Sequence, residues 1–373
     1  MAGATQAALY ASIDGELSWS EAALPERERT KHVHRLHPYL GKFVPQLVEV
    51  FLNRLFRPGQ GVYDPFLGSG TTLVEATAFG CAAVGCDVSA FNCLLARVKT
   101  GRHELGAVEL ALRGALEAAR RDGPGTEQAT PWLEEWLSPR ALAELLAFRR
   151  ALDRLEPGAR EIGHVILSRA ARSARLAPHY DLDSPRAPVR EPYWCHKHRR
   201  ECRPVEEADK FLRRYTADTM TRLRAFAELR GERAVRVLHA DAREAKLPLA
   251  AHGVITSPPY PGLIDYHEQH RYAYELLGLE DRRAAEIGPA VAGRTRAALA
   301  AYTDAMVAVL VTTARQLPAG APIVVVVNDS RALYPTILER AGLGLEERLT
   351  RHVNRRTGRR AGEFFEDVLV CRT

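Results

Sequence analysis

The sequence has 373 residues, of which 46% are hydrophobic and 26% are charged, which is the composition of a folded globular protein long enough for two domains. The chain start has no signal-peptide pattern, and no window reaches the roughly 18 apolar residues of a membrane span, so we expect a cytoplasmic protein with no membrane partner. Its six cysteines lack regular spacing, which argues against a disulfide scaffold and for reduced thiols.

The net charge of +6 is modest, but the basic residues are concentrated in two places. Residues 169–233 hold 16 Arg and Lys against 10 Asp and Glu, and residues 348–360 hold six Arg and no acid. Basic segments of this kind suit a polyanion such as nucleic acid, although a solvated face is the commoner origin of any one run.

The first half of the chain alternates strands and helices after an amino-terminal extension at 1–30. Apolar spacing and turn residues predict a helix at 48–56, a strand at 61–64, a helix at 71–79, a strand at 82–87 and a helix at 90–99. The alternation then stops, because 104–121, 139–155 and 161–175 read as helices separated by loops with Pro and Gly. We therefore predict an inserted, mainly helical domain at 101–231, between two α/β halves at 31–100 and 232–373.

The second half resumes the alternation. Predicted elements are strands at 234–241 and 253–256, a helix at 295–316, a strand at 322–327, a helix at 331–341, and strands at 345–353 and 365–371. This order predicts an α/β fold with a doubly wound, mostly parallel sheet and an antiparallel hairpin at its edge. Ligands of such sheets bind at the carboxyl ends of the strands.

Three acidic residues end three of the predicted strands: Asp64, Asp87 and Asp241. The first opens a glycine-containing turn, residues 65–72, where backbone N–H groups could approach a ligand closely. A P-loop does not fit, because no Lys follows the second glycine, and the spacing also misses the dinucleotide fingerprint. An acid about 20 residues after the turn, Asp87, suits a ribose diol and favours a nucleotide-like ligand over a plain tight turn.

The strand at 253–256 leads into Ser257-Pro258-Pro259-Tyr260. Two prolines remove two backbone donors and stiffen the turn, which leaves carbonyl groups free to point into the crevice. Ser257 and the Pro258 carbonyl could accept hydrogen bonds from an exocyclic amine while the Tyr260 ring stacks on a planar base. An ordinary proline-rich loop is the alternative when this motif is taken alone.

Together these motifs resemble the S-adenosylmethionine-dependent amino-methyltransferases of DNA, and the Ser-Pro-Pro-Tyr form is similar to their N4-cytosine branch. Residues 37–45 also resemble the segment that closes over the methionine end of the cofactor in that family. The resemblance covers about 34–99 and 232–373 and implies a class I, Rossmann-like methyltransferase fold. It further implies methylation of a base flipped out of double-stranded DNA, with the insert as the candidate target-recognition domain.

The resemblance also implies roles for single residues. The amino acid part of the cofactor would contact a first group of residues, Asp64, Phe66, Gly68 and Gly70, with Thr71, Thr72, Lys42 and Phe43 nearby. Asp87 would bind the ribose hydroxyls and Asp241 the adenine amine. The catalytic pocket would consist of Ser257, Pro258, Pro259 and Tyr260, and the reaction would need no metal.

Several alternatives remain open at this stage. N6-adenine is the second choice of base, although Asp or Asn usually stands in those enzymes where this chain has Ser257. An RNA (tRNA) base amino-methyltransferase is the runner-up among enzymes, and a regulator that binds cofactor and DNA without catalysis is a different class. C5-cytosine methylation is excluded because the sequence has no Pro-Cys pair. The resemblance also makes a cognate restriction endonuclease a candidate partner.

Other residues are candidates for contacts with DNA or metal. Cys195, His196, His198 and Cys202 invite a zinc interpretation, but their spacing is not that of a standard finger, so we predict no metal and favour a basic aromatic loop. Arg199 and Arg200 in that loop are DNA-binding candidates, as are Arg355, Arg356, Arg359 and Arg360. In a helix predicted at 206–229, arginines would be solvated or contact phosphate. His267 and His270 look like a metal pair, but structural or base-contacting roles are favoured.

Overall fold

The structure, a computed structural model, describes residues 17–19, 24–41, 44–123, 125, 128–183, 185–353 and 364–373. Its strands, in chain order, are β1 (Gly61–Asp64), β2 (Ala82–Asp87), β3 (Tyr193–Cys195), β4 (Arg200–Cys202), β5 (Val235–His239), β6 (Gly253–Thr256), β7 (Pro322–Val327), β8 (Gly344–His352) and β9 (Phe365–Arg372).

The α-helices of the described residues are α1 (Glu26–Arg29), α2 (Pro45–Leu55), α3 (Thr71–Phe79), α4 (Ala90–Thr100), α5 (Leu105–Asp122), α6 (Pro131–Trp136), α7 (Pro139–Leu152), α8 (Pro157–Ala174), α9 (Asp209–Ala227), α10 (Tyr266–Gln269), α11 (Arg271–Leu277), α12 (Arg296–Ala314) and α13 (Tyr334–Ala341). Short 3₁₀ turns occupy His32–Arg35, Arg283–Ala285 and Ala290–Ala292.

The main sheet confirms the predicted fold class. Its seven strands lie in the order β5-β2-β1-β6-β7-β9-β8, and all neighbours from β5 to β7 are parallel. β9 runs antiparallel to both β7 and β8, which gives the predicted edge hairpin. The chain moves outward from β1 to β2 and β5 on one side and from β6 to β7 on the other, so the topological switch point lies between β1 and β6.

Local sequence explains why the elements next to that switch point begin and end where they do. Every residue of β1, β6 and β7 is buried, as expected for strands covered by helices on both faces. Gly70 and Gly80 bound α3 in left-handed conformations, with φ of 81° and 89°. Ser89 caps α4 by accepting a hydrogen bond of 3.2 Å from the backbone N–H of Asn92.

The helices of the insert share a core with the sheet-bearing part of the chain. One continuous apolar cluster joins Phe91 and Leu95 of α4 to Leu112 of α5, Ile162 of α8 and Met220 of α9. A second and a third cluster cover the two faces of the main sheet. Residues 101–231 are therefore an insertion in sequence whose apolar side chains pack against α4.

One described helix, α12, is long and apolar enough by composition to cross a membrane. It has a buried face that includes Tyr302, Met306 and Leu310, and that face belongs to the core against the sheet. The sequence criterion of 18 uninterrupted apolar residues misses this helix, because Asp304 and polar residues interrupt its apolar stretch.

Most differences from the predicted elements lie in short segments and at boundaries. The hairpin of β3 and β4 and the helices α6, α10 and α11 are absent from the prediction, because strands of three residues and helices of four to seven residues show no readable periodicity. The helix predicted at 206–229 runs only from Asp209 to Ala227. The predicted extension at 1–30 lies largely outside the described residues.

Candidate functional site

A cavity of about 820 Å³ opens at the carboxyl ends of the parallel strands, beside the topological switch point. Its wall is built from segments that follow β1, β2, β5 and β6. Tyr39 and Gly41 also line it; they belong to residues 37–45, called the closing segment below. Among the predicted site residues the cavity is lined by Phe66, Gly68, Thr71, Asp87, Asp241, Ser257 and Pro259. The structure therefore brings together residues that are up to 193 positions apart in the chain, from Phe66 to Pro259.

The turn after β1 forms the floor of this cavity. The backbone N–H of Gly68 donates a hydrogen bond of 2.8 Å to Asp87 Oδ2, and that of Leu67 donates one of 3.0 Å to the Cys86 carbonyl. Gly68 has a φ of +49°, and a Cβ added there would lie 3.1 Å from Tyr39 Oη. The turn therefore needs glycine at this position for its backbone to lie close to the cavity.

Three residues predicted to contact the cofactor lie behind the cavity wall. Asp64 is 1% exposed, and its Oδ1 accepts hydrogen bonds of 3.1 Å from the Phe66 N–H and 2.6 Å from Thr256 Oγ1. Thr72 Oγ1 donates to the Ile255 carbonyl. Gly70 packs so tightly on α4 that an added Cβ would lie 3.0 Å from the Cβ of Ala96. In this structure Asp64, Gly70 and Thr72 shape the turn rather than line the cavity.

Asp87 is the cavity carboxylate that is held by donors from three different residues. It accepts hydrogen bonds from the backbone N–H groups of Gly68 and Ser89, both at 2.8 Å, and from Asn92 Nδ2 at 3.0 Å. Burial nevertheless raises its pKa to about 6, because these donors only partly replace the lost hydration. Burial likewise raises the pKa of Asp64 to about 6.

Asp241, which follows β5, also lines the cavity and is held by Arg243. Arg243 donates to both of its carboxylate oxygens, with Nε at 2.9 and 3.0 Å, and its backbone N–H donates at 2.9 Å. Partial burial alone would raise the pKa of Asp241, but these hydrogen bonds outweigh it, so the pKa lies below its ordinary value. Asp241 is therefore ionised at neutral pH.

The charged residues that line the cavity in the described part of the chain are all acidic. Its charged lining residues are Asp87, Asp241 and Glu286, and no Lys or Arg lines it in the described part of the chain. Apolar side chains complete the lining, including Leu67, Val88, Ile264 and Ile287. Such a site suits a ligand that carries positive charge and disfavours one held through phosphate groups.

The closing segment contributes residues that the sequence did not single out. Tyr39 lines the cavity, accepts a hydrogen bond of 3.2 Å from Asn92 Nδ2, and stacks on Tyr266 with ring centroids 5.7 Å apart. Lys42 and Phe43, which were predicted in this segment, lie outside the described residues. Tyr39 lies within the segment 37–45, but nothing in the spacing of that segment predicts that Tyr39 lines the cavity.

Glu286, Tyr266 and Asn92 also line the cavity, although none of them was predicted from the sequence. Glu286 comes from the loop before α12, where its carboxylate accepts a hydrogen bond of 3.0 Å from the backbone N–H of His267 and also contacts the His267 ring. His270 packs among aromatic rings, with Phe91 at 4.8 Å and Tyr39 at 5.4 Å. His267 thus contacts Glu286, and His270 packs against Tyr39, two residues that line the cavity.

The Ser257–Tyr260 loop separates the first cavity from a second one of about 750 Å³. Ser257 and Pro259 line the first cavity, Tyr260 lines the second, and Pro258 lies buried between them. Ser257 Oγ donates a hydrogen bond of 3.1 Å to the Val326 carbonyl and also contacts the Tyr260 hydroxyl, and a hydroxyl with its proton donated retains acceptor capacity. Tyr302 Oη donates to the Pro259 carbonyl at 3.0 Å, whereas no described donor reaches the Pro258 carbonyl.

The second cavity has a mixed polar and aromatic lining. Tyr260 Oη donates a hydrogen bond of 2.9 Å to Glu366 Oε1, which fixes the orientation of its ring, and the ring of Phe364 lies 6.4 Å away. Polar side chains from the segment after β7 complete one wall, namely Asn328, Asp329, Ser330 and Arg331. A planar ligand with polar edges matches this combination.

The predicted DNA-contacting residues divide into three groups. Arg199 and Arg200 are exposed, and neither forms an ion pair with a described residue. The arginines of α9 are largely paired, since Arg213 contacts Asp209 at 3.1 Å and Arg222 contacts Asp218 at 3.0 Å. The predicted hairpin-loop residues Arg355, Arg356, Arg359 and Arg360 lie outside the described residues.

Comparisons with known proteins agree with these motifs. A family model for N6 and N4 methyltransferases, described as "DNA methylase", matches residues 14–97. The Type II methyltransferase M.MjaII of Methanocaldococcus jannaschii is 33% identical over 439 aligned positions, which cover 95% of this chain and 83% of that protein. The Type II methyltransferase M.MvaI of Kocuria varians is 39% identical over 70 residues, 18% of this chain and 15% of that protein.

Among solved structures, the rRNA methyltransferase aviRa from Streptomyces viridochromogenes aligns with 95% of this chain and 96% of its own, at 15% identity and a TM-score of 0.37. The similarity to M.MjaII, in contrast, is a sequence similarity that extends over 95% of this chain.

Proposed function

The chain belongs to the DNA amino-methyltransferase family, and from this premise we propose that it transfers a methyl group from S-adenosylmethionine to the N4 amine of cytosine in DNA. The observation that carries the proposal is the Ser257–Tyr260 loop, which has one cavity on each side. A methyl donor in the first cavity and a flipped base in the second would meet at this loop. The target must leave the duplex, because a base stacked inside it cannot reach an enzyme pocket.

The first cavity fits the cofactor by charge and shape. S-adenosylmethionine, when bound, supplies an electrophilic methyl group on a positively charged sulfonium. Asp87, Asp241 and Glu286 give the cavity the negative charge that a cationic ligand requires. We propose that Asp87 accepts hydrogen bonds from the ribose hydroxyls and that Asp241 accepts one from the adenine amine, with the turn at Phe66 and Gly68 facing the amino acid part.

The loop residues would activate the target amine. The lone pair of an aromatic exocyclic nitrogen is delocalised into the ring, so the amine is a poor nucleophile until acceptors draw its protons out of the ring plane. The Ser257 hydroxyl and the Pro258 carbonyl are two such acceptors on one turn, and both have free acceptor capacity toward described residues. Holding nitrogen, methyl and sulfur in line would supply much of the rate.

The proton balance of the reaction is simple. The nitrogen forms a bond to the methyl carbon, the carbon–sulfur bond breaks, and the methylated amine releases one proton to water. No cysteine lines either cavity in the described part of the chain, so the arrangement favours direct transfer to an amine over attack through a covalent enzyme intermediate. Tyr260, with its ring fixed by Glu366, is the proposed stacking partner of the base.

Ser257 is the reason for choosing cytosine over adenine, since the resemblance to the N4 branch rests on this residue. The basic loop around Arg199 and Arg200 and the insert that carries it are the proposed regions of contact with duplex DNA. This assignment rests on exposure and charge, because both guanidinium groups are without described ion-pair partners.

Nucleoside mass spectrometry would test the proposal. Purified protein is incubated with isotope-labelled S-adenosylmethionine and either unmethylated plasmid DNA or transfer RNA, and the digested nucleosides are separated. We expect labelled N4-methylcytosine from DNA and none from RNA, with loss of label in Ser257→Ala. Labelled N6-methyladenine would keep the family and overturn the base, whereas label in RNA alone would overturn the substrate.

A further inference from the structure

The loop between α8 and α9 gathers four side chains with the chemistry of a metal site. These are His179, Cys195, His198 and Cys202, whose ligand atoms all lie within 4.8 Å of one another. His198 Nδ1 lies 3.6 Å from Cys195 Sγ and 3.4 Å from Cys202 Sγ. Metal–ligand bonds of about 2.0 to 2.3 Å in a tetrahedral site place neighbouring ligand atoms about 3.3 to 3.8 Å apart.

The local fold explains why these residues meet. Cys195 ends β3 and Cys202 ends β4, and the two strands pair antiparallel so that His198 lies in the turn between them. Arg199, directly after His198, has a φ of +52°, a left-handed conformation that is unfavourable for a non-glycine residue. A short hairpin is marginal on its own, so ligation on both sides of the turn would account for its persistence.

His179 supplies the fourth ligand from outside the hairpin. Its ring centroid lies 5.0 Å from that of His198, and its backbone N–H donates a hydrogen bond of 2.9 Å to Tyr193 Oη, which ties the two segments together. The Nδ1 atom of His179 is buried and has no hydrogen-bond partner among the described residues. An unpaired buried nitrogen is costly, which points to a missing partner at this position.

We propose that His179, Cys195, His198 and Cys202 bind one Zn²⁺ ion as a structural site. Two thiolates and two neutral imidazoles would balance the charge of the ion, and this ligand set in a closed tetrahedron is the one that zinc favours. Both cysteines are buried and reduced in the structure, as ligands of a structural site need to be. With four protein ligands the site has no open position, so its role is to hold the hairpin rather than to catalyse.

The spacing in the sequence concealed this site. His179 lies 16 residues before Cys195, whereas His196 is adjacent to it. Sequence spacing therefore favours His196 as a ligand over His179. In the structure the ring of His196 lies 5.8 Å from that of Tyr180 and does not belong to the cluster. A second group of candidate ligands, His32, His34 and Glu75, is a weaker choice because the Lys31 ammonium already contacts Glu75 at 3.0 Å.

The inference concerns folding of the hairpin and is independent of the base that is methylated. Metal content of tag-free full-length protein, dialysed against EDTA and measured by inductively coupled plasma mass spectrometry, is the first readout. We expect about one zinc per chain in the wild type and in the control His196→Gln, and near-complete loss in Cys195→Ser/Cys202→Ser. His179→Gln should weaken zinc retention at least tenfold if it is the fourth ligand.

Cobalt provides a readout that does not depend on how well the variants fold. Wild-type protein reconstituted with Co²⁺ should show the visible absorption of a tetrahedral site together with a thiolate-to-cobalt charge-transfer band. Three results would overturn the proposal: wild-type protein that takes up neither ion while both thiols react freely with a thiol reagent, a Cys195–Cys202 disulfide in non-reducing peptide mapping, or zinc retained by the double serine variant.

Discussion

The backbone N–H of Gly68 donates a hydrogen bond to Asp87, and the 2.8 Å contact ties the turn after β1 to the end of β2. The same carboxylate accepts from Ser89 and Asn92, so one side chain organises three segments around the proposed cofactor site. Its Oδ1 accepts from Ser89 and its Oδ2 from Gly68 and Asn92, so an amide, which offers one acceptor oxygen instead of two, leaves at least one of these donors without its partner.

We therefore predict that Asp87→Asn weakens S-adenosylmethionine binding at least tenfold, which corresponds to about 1.4 kcal/mol. Isothermal titration calorimetry measures the change, and a thermal melt of the empty protein checks that the fold persists. The control is Asp304→Asn on the outer part of α12, where the side chain is 65% exposed and should leave cofactor affinity unchanged. Equal affinity in Asp87→Asn and wild type would remove Asp87 from the binding site.

Cofactor affinity should also depend on pH in the acidic range. Burial raises the pKa of Asp87 to about 6 in the empty protein, and a cationic ligand with ribose hydroxyls favours the ionised carboxylate. Binding below pH 6 must therefore displace a proton, so affinity should fall as the pH is lowered from about 7 to 5, by up to about tenfold per pH unit for each carboxyl. Asp87→Asn should flatten this dependence, and a constant affinity over the range would contradict it.

The stability of the empty protein should depend on pH in the opposite direction from cofactor affinity. Asp64 and Asp87 have an ordinary pKa of 3.8 and a folded-state value of about 6, so the folded protein holds more protons than the unfolded chain between these values. Their contribution to the free energy of unfolding thus decreases as the pH rises through this window. Added cofactor should offset the decrease, which thermal melts with and without ligand at pH 5 and 7 would reveal.

Two glycines make a matched pair for testing the turn. Gly70 has a φ of +81°, and an added Cβ would lie 3.0 Å from Ala96 Cβ, whereas Gly114 lies in the exposed face of α5 with nothing within 4 Å. Gly70→Ala should lower the free energy of unfolding by about 1–2 kcal/mol or more, and Gly114→Ala should raise it by about 0.5–1 kcal/mol. Urea denaturation compares them, and equal effects would contradict the reading of the turn.

Stacking on Tyr260 can be separated from its hydrogen bond. Tyr260→Phe removes the hydroxyl with its contacts to Glu366 and Ser257 and keeps the ring, while Tyr260→Ala removes the proposed stacking partner. Stacking of a base on an aromatic side chain contributes about 1–3 kcal/mol, so Tyr260→Ala should lower methyl transfer about 5- to 150-fold and Tyr260→Phe much less. Initial rates with saturating cofactor measure both, and an equal loss in the two variants would favour a role for the hydroxyl instead.

Salt dependence tests the basic hairpin. If Arg199 and Arg200 each contact a phosphate, the double alanine variant should reduce the slope of log affinity against log salt by about 1.8. The control is Arg213→Ala. Because Arg213 is paired with Asp209 at 3.1 Å, its removal should leave the slope unchanged. Fluorescence anisotropy with a labelled duplex at several salt concentrations measures the slopes. An unchanged slope in the double variant would remove this hairpin from the interface.

The elements predicted best are those bounded by strong local signals. The strands Gly61–Asp64, Ala82–Asp87, Gly253–Thr256 and Pro322–Val327 and the helix Thr71–Phe79 have their predicted bounds, because glycine, proline or a charged residue stands at their ends. Asp87, Asp241 and Ser257 could be placed at one edge because parallel strands present their carboxyl ends together.

The parts that could not be predicted depend on distant contacts. Glu286 reaches the cavity because its carboxylate is held by His267, and Tyr39 because it stacks on Tyr266. Asp64 faces the interior because Thr256, far along the chain, supplies its hydrogen bond. None of these relationships leaves a periodic or compositional trace in the residues concerned, so only the folded arrangement reveals them.

The continuous packing between α4 and the helices of the insert limits how this protein could change its target. Phe91 shares its core with Leu112 and Ile162, and His37 of the closing segment lies 3.2 Å from Ser168 of α8. Transplanting residues 101–231 from a relative would require a matching surface on the catalytic side as well. If the insert reads the target sequence, as proposed, its preference should change by substitutions in exposed loops and in the β3–β4 hairpin rather than by exchange of the whole insert.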